Sequence, residues 1–414
     1  MKKIFKEWSG DKLLKLKKRA KEIIYIINLK QIIDVFIFPI IFFISIITKP
    51  FCKNIWIIAE NPNEACDNGY IFFKYIRKKR KDINAYYIIN KKSRDYEKVK
   101  ELGNVIQYRS LKHWIYYLNA SYIIVTQKYA NPSPAIFYIL HTRNILKIPR
   151  IYLKHGITKD ESKLLYYSRT KFRLFICGAK KELEYIKNNY GYPKENVVYT
   201  GFARFDNLNV YQENDNKLKI ANNAARIILI TPTWRNWIHK QEEFDKFMQN
   251  YYILIQNKAL VNGLEKYNIE LKLVLHKNMK KFKLNYNVES FSKNITINHN
   301  EEVDIQDLLN NTDLLITDYS SIFFDIAYRK RPIIYYQFDT EKYRENQLQK
   351  GYFSYEKDGF GDILENPDAI ANKVKYYIET NFKIESIYSS RMDNFFERKD
   401  KNNCKRILEE IEKI

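Results

Sequence analysis

From residue 54 onward, short β-branched or aromatic runs alternate with amphipathic stretches. The runs NIWIIAE (54–60), INAYYIIN (83–90), NVIQY (104–108), SYIIVTQ (121–127), RIYLKHG (150–156), LFICGA (174–179) and NVVYTGF (196–202) read as strands. Between them, FFKYIRKKR (72–80), SLKHWIYYLNAS (110–121) and KKELEYIKNNYG (180–191) carry helical spacing. Such alternation predicts a parallel, doubly wound sheet. After a polar break, YQENDNKLKIANNAA (211–225), the pattern restarts with RIILITPTW (226–234), IELKLVLHKN (269–278), NITINH (294–299), TDLLITD (312–318) and RPIIYYQF (331–338), and it ends in helical sequence. The expected fold class is α/β, with two Rossmann-like units joined near residue 220 and a cleft outside their strand carboxyl ends.

The start of the chain is different. Residues 1–22 hold nine Lys/Arg and three acids around Leu13, Leu14 and Leu16, a basic amphipathic pattern suited to an anionic leaflet. The run IIDVFIFPIIFFISIIT (32–48) is strongly apolar, but it contains Asp34 and Pro39 and is short for a spanning helix. Lys30 precedes it and Lys49 and Lys53 follow, so charge keeps both ends on the cytosolic side. A monotopic kinked hairpin or interfacial helix is expected; a buried helix pair of a cytosolic domain is the alternative. The chain is thus expected to comprise a membrane-associating segment (1–53), an acceptor-side domain (54–220), a donor-binding domain (221–380) and C-terminal helices (381–414).

With 71 Lys+Arg against 48 Asp+Glu, the formal charge of +23 allows nucleic acid, an anionic membrane or a phosphate-rich substrate as partner. No nucleic-acid-binding motif or interleaving of exposed basic and aromatic residues appears, so nucleic acid is not expected. Cys52, Cys66, Cys177 and Cys404 form neither a CxxC pair nor a zinc spacing, which implies a reduced cytosolic protein with no structural metal.

Four places could carry chemistry. In TDLLITDYSSIFFDIAYRKRPIIYY, a buried strand ends at Asp318, and Ser320 and Ser321 stand where they could cap a helix and bind an anion, or simply cap it. His155 and Gly156 follow a strand; the histidine suits proton transfer, or is a loop histidine satisfied by a carbonyl. His276 closes an alternating strand ahead of Lys277, Lys280 and Lys281, a phosphate-facing cluster or a solvated loop. Arg235 ends a strand, where it could clamp a phosphate or form an ion pair. There is no GxxxxGK[ST] or GxGxxG sequence. His113, His141, His239 and His299 are assigned no role.

KHGITK (154–159), TGFARFDNL (200–208), TPTWR (231–235), LVLHKN (273–278), the 304–336 stretch around Thr-Asp-Tyr-Ser-Ser, FDTEKY (338–343) and GYFSYE (351–356) occur in an order that resembles the CDP-glycerol glycerophosphotransferases, the teichoic-acid primases and polymerases. The resemblance implies a GT-B-like fold of two Rossmann-type domains, held at the cytoplasmic face of the membrane by an amino-terminal segment. It implies transfer of an alditol phosphate from CDP-glycerol or CDP-ribitol to a hydroxyl of a lipid-linked or polyanionic cell-wall or capsule acceptor, releasing CMP. By this resemblance His155 and His276 are catalytic and Arg235, Asp318, Ser320 and Ser321 bind the donor. Gly156, Arg204 and Asp206 support them. No cofactor or metal is implied, and an oligomer is left open. The chain departs from the family pattern at Lys154, where a Trp or similar residue usually precedes His-Gly, at Ile157-Thr158-Lys159 and Lys277, and at 354–362. A GT-B glycosyltransferase using a nucleotide sugar is the competing expectation.

Overall fold

The computed structural model describes residues 29–127, 131–210, 225–285 and 291–414. The basic amphipathic stretch at 1–22 and nearly all of the polar break at 211–225 lie outside the described residues. Contacts divide the chain into two compact units, Met1–His155 with Leu164–Phe175, and Gly156–Lys163 with Ile176–Ile414.

Each strand read from the sequence is present: β1 Ile55–Ala59, β2 Asn84–Ile89, β3 Val105–Gln107, β4 Tyr122–Val125, β5 Arg150–Tyr152, β6 Leu174–Cys177, β7 Val197–Tyr199, β8 Arg226–Thr231, β9 Ile269–Leu275, β10 Ile295–His299, β11 Thr312–Thr317 and β12 Ile333–Tyr336. A further strand, β13 (Gly361–Leu364), had no counterpart in the sequence reading. The sheets run β3-β2-β1-β4-β5-β6-β7 and β10-β9-β8-β11-β12-β13. Pairing is parallel, as in Ile57 opposite Tyr86 and Ile123, and Leu229 opposite Lys272 and Leu315. Strand order reverses between β1 and β4 in the first sheet and between β8 and β11 in the second, and ligands of open α/β sheets bind outside the carboxyl ends at such points. The apolar runs are buried for the expected reason. Every residue of β1, β6, β11 and β12 is buried, and helices such as Gln241–Ile255 supply Phe244, Met248, Tyr251 and Ile255 to the core.

The apolar stretch near the start forms a single helix, Leu29–Thr48, which continues through Pro39 rather than folding into a hairpin. Its polar side chains anchor it to the first unit. Arg109 donates to the buried Asp34 at 2.6 Å, Gln31 Oε1 accepts from the Ser133 hydroxyl at 2.8 Å, and Asn119 donates to the Ser45 carbonyl at 3.0 Å. Phe38 meets Trp114 and Phe137. These tertiary contacts offset the backbone bond that Pro39 cannot donate. The other face leaves Val35, Phe36, Ile40, Phe43 and Ile47 exposed, and Lys30–Phe51 is long and apolar enough to cross a membrane.

Two buried histidines lie beneath this helix. His113 Nδ1 accepts from the Arg109 N–H at 3.0 Å, and His141 shares a 3.2 Å hydrogen bond with the Tyr117 hydroxyl. Burial, with the charge of Arg109 or Arg150 adding to it, lowers each to about 3. The unfolded chain therefore takes up protons that the native state refuses once pH falls below about 6.5. The stability these neutral rings contribute is complete above that pH and is lost progressively on acidification toward 3. Thermal unfolding of the first unit should drop in midpoint between pH 7.5 and 5, and His141→Gln should flatten that dependence. A midpoint unchanged over this range would contradict the assignment.

Candidate active site

The second sheet brings three of the sequence-selected positions to one edge. Because β9, β8 and β11 are adjacent and parallel, their carboxyl ends emerge together, carrying His276 after β9, Arg235 shortly after β8, and Asp318 with Ser320 and Ser321 after β11. The β8/β11 strand-order reversal lies among them.

His276 is half-buried, and its Nδ1 accepts the Asn278 N–H at 3.2 Å. With Nδ1 accepting, the neutral ring carries its proton on Nε2, so it can donate a hydrogen bond. Ser320 and Ser321 are half-buried in the turn before the helix Phe323–Tyr328. The N-cap of this helix is Ile322, without a side-chain bond, rather than either serine. Ser320 Oγ accepts from the Ile322 N–H at 3.4 Å, closing the turn rather than capping the helix. Hydroxyls and turn N–H groups, more than a macrodipole, are what this loop offers an anion.

Arg235 differs from the expected phosphate clamp. Its side chain is fully buried and committed elsewhere: it pairs with Asp318 at 2.8 Å, forms a two-pronged bond with Asp339 at 2.8 and 3.0 Å, and donates to the Thr233 carbonyl at 2.7 Å. Rings of Phe247, Tyr319 and Tyr343 surround it. Burial opposes its charge, but Asp318 and Asp339 more than offset that and raise its pKa. Asp318 is equally enclosed, accepting from the N–H and hydroxyl of Thr233 and from the Tyr319 N–H at 2.6 Å. Neither side chain reaches the surface. Together they set the backbone on both sides of the β8/β11 reversal, including the peptide that leads into Ser320.

Arg204 and Asp206 hold the loop after β7. Arg204 grips Asp325 with bonds of 2.6 and 2.9 Å, tying this loop to the helix that follows the serines. Asp206 accepts from the backbone N–H groups of Asn403 and Cys404 at 2.9 and 2.8 Å, which fixes the start of the helix Asn403–Glu412.

His155 is exposed just beyond β5. The next residue, Gly156, lies so close to the serine loop that a Cβ there would stand 2.7 Å from Ser321 Oγ. Downstream, the buried Glu182 accepts from the Thr158 N–H at 2.5 Å and the Gly178 N–H at 2.7 Å. Lys159 is buried against Asp160, which also pairs with Arg344 at 2.6 Å; burial lowers the lysine pKa although Asp160 opposes the shift. Sequence reasoning missed Glu182, Asp339 and Asp160. Asp339 sits in the FDTEKY segment, but nothing in its spacing announces a pairing with Arg235. Among the described residues, no group of three His, Cys, Asp or Glu side chains is placed to hold a metal ion.

Comparison with known proteins places the chain in a family. The family model for CDP-glycerol:poly(glycerophosphate) glycerophosphotransferases matches residues 41–413. The minor teichoic acid biosynthesis protein GgaB of Bacillus subtilis is 32% identical over 87% of this chain, which spans only 40% of that protein. A teichoic acid poly(glycerol phosphate) polymerase of Bacillus spizizenii is 25% identical over 83% of this chain and 88% of its own length. Among solved structures, a variant of the wall teichoic acid polymerase TagF superposes with a TM-score of 0.67 at 15% identity, covering 93% of this chain and 96% of that one. That likeness identifies the fold, two Rossmann-type sheets of GT-B kind.

Proposed function

Since the chain belongs to the CDP-glycerol:poly(glycerophosphate) glycerophosphotransferase family, we propose that it transfers an alditol phosphate, glycerol phosphate foremost, from a CDP-alditol to a hydroxyl of a lipid-linked or polymeric cell-wall acceptor. The observation that carries this reading is the convergence of the family's histidine and serine motifs: Gly156 of the His-Gly pair abuts Ser321, and His276 emerges two strands from that serine loop on the same sheet edge.

In the proposed reaction, His155 accepts the proton of the acceptor hydroxyl as its oxygen attacks the β-phosphorus of the donor. A new P–O bond forms, the bond to the bridging oxygen breaks, and CMP departs with that oxygen. Negative charge on the transferring phosphoryl group is met by the Nε2–H of His276 and by the hydroxyls and N–H groups of Ser320 and Ser321. Arg235 and Asp318 act from beneath, holding the loop that presents the serines, while Arg204 and Asp206 brace its other side. The reading assigns residues 54–220 to the acceptor side and 221–380 to the donor. Offering the protein CDP-glycerol, CDP-ribitol and nucleotide sugars and identifying the nucleotide released is the test. CMP from a CDP-alditol supports the proposal, and a nucleoside diphosphate from a nucleotide sugar would replace it with glycosyl transfer.

The helix Leu29–Thr48 is proposed to lie in the cytoplasmic membrane surface, since its polar side is anchored to protein and its exposed side is a row of large apolar groups. Phe36→Glu with Phe43→Glu should shift the protein from the floating to the soluble fraction of a liposome flotation. Unchanged flotation would place the attachment elsewhere.

A further inference from the structure

The backbone just before His155 has an unusual conformation. Lys154 has φ of 61°, in the left-handed region that residues with a Cβ avoid, and its side chain is buried, with Nζ 5.0 Å from the centre of the Phe175 ring. Such a conformation persists only where its surroundings enforce it. Asn68, a fully buried side chain, is placed to do so: its Nδ2 donates to the Lys154 carbonyl at 2.9 Å and, more weakly, to the Leu153 carbonyl at 3.4 Å.

Asn68 is itself held firmly. It opens the helix Asn68–Lys79, its N–H is capped by Asp67 Oδ1 at 2.7 Å, and the loop before it wraps the buried carboxyl of Glu60. Glu60, just past β1, accepts from the N–H groups of Cys66 at 2.9 Å, Asp67 at 3.1 Å and Tyr70 at 2.7 Å. Gly69 leaves room for it, because a Cβ there would come within 2.8 Å of Glu60 Cγ. The first sheet's β1/β4 reversal is thereby linked through one side chain to the carboxyl end of β5.

We propose that Asn68 is a positioning residue for His155: by fixing the left-handed turn at Lys154 it sets the direction in which the chain presents the imidazole. The proposal rests on His155 acting as the base. Without the amide, two buried carbonyls lose their donor and Lys154 can relax to negative φ, which reorients the following peptide and carries His155 with it. The donor-side loops of the second sheet keep their own anchors, Arg235 on Asp318 and Arg204 on Asp325, so the loss should fall more on turnover than on donor affinity.

The test compares Asn68→Ala and the isosteric Asn68→Asp, which removes the donor, with His155→Ala in the intact chain. The measurements are kcat, the KM for CDP-glycerol, the thermal unfolding midpoint, and the histidine ring resonances of protein labelled at histidine. Expected for the Asn68 variants are a fall in kcat of roughly tenfold to a hundredfold, as misplacing a reacting group produces, a KM within about twofold, and movement of the His155 resonance while that of His276 stays in place. Full kcat in both Asn68 variants beside an inactive His155→Ala overturns the positioning role and leaves the base role standing. A fully active His155→Ala overturns both. If Asn68→Ala is too unstable to measure, Asn68→Asp decides alone; loss of kcat with all histidine resonances displaced together marks a general structural role and contradicts the proposal.

Discussion

Replacing Arg235 with alanine is expected to unfold the second unit rather than simply weaken donor binding. The guanidinium is the partner of two carboxylates, one of them, Asp318, as buried as the arginine itself. Removing one member of a buried, hydrogen-bonded ion pair typically costs about 3–5 kcal/mol because the other charge is left without compensation. Arg235→Ala also opens a void among Phe247, Tyr319 and Tyr343, the last two stacked at 3.7 Å. Arg235→Lys should recover little, since an ammonium cannot reproduce the two-pronged contact with Asp339. Denaturant unfolding of the variant checks this. A protein of normal stability with a raised KM for CDP-glycerol would instead restore Arg235 to the phosphate-clamp role.

The opposite signature is expected at the histidines. His155→Ala removes an exposed side chain just past a strand end and leaves neither a buried unpaired charge nor a core void, so its unfolding midpoint should move far less than that of Arg235→Ala. Its turnover should fall by about 10²–10⁴-fold, the usual contribution of a positioned general base. His276→Ala should fall by about 10²–10³-fold if the Nε2–H stabilises the transferring phosphoryl group. The loss of the Asn278 bond costs this variant little stability, since that bond is a short local one. Single-turnover rates with CDP-glycerol and an acceptor separate the two variants from wild type. Wild-type rates from either variant would remove that residue from the mechanism.

Much of the fold could be read from the sequence because buried parallel strands announce themselves as continuous apolar runs such as LLIT before Asp318 or IWII after Asn54. The strand that escaped, β13, is four residues long and begins with Gly361 and Asp362, so it has no such run. The stretch forming the helix Leu29–Thr48 was legible as apolar, but whether it made a kinked hairpin or one helix was not, because its hold on the protein comes from Asp34, Gln31 and Ser45 meeting residues 74 to 102 positions away in sequence.

At the site, the histidine and serine motifs were visible because each stands at a strand end, where function concentrates. The commitment of Arg235 was invisible, since Asp339 lies 104 positions downstream. The same is true of Asn68. NEACDNGY reads as an ordinary loop entering a helix, and its grip on the Lys154 carbonyl, 86 residues on, exists only once β1 and β5 share a sheet. Pairwise chemistry between remote strand ends is set by topology, which local pattern does not encode.

The fate of the β-phosphorus tests the central claim most directly. With CDP-glycerol labelled at that atom and a lipid-linked acceptor, the label should appear in the extended acceptor, the nucleotide should leave as unlabelled CMP, and both should cease with His155→Ala. Label retained in a released nucleoside diphosphate, with only the alditol transferred, would contradict the account.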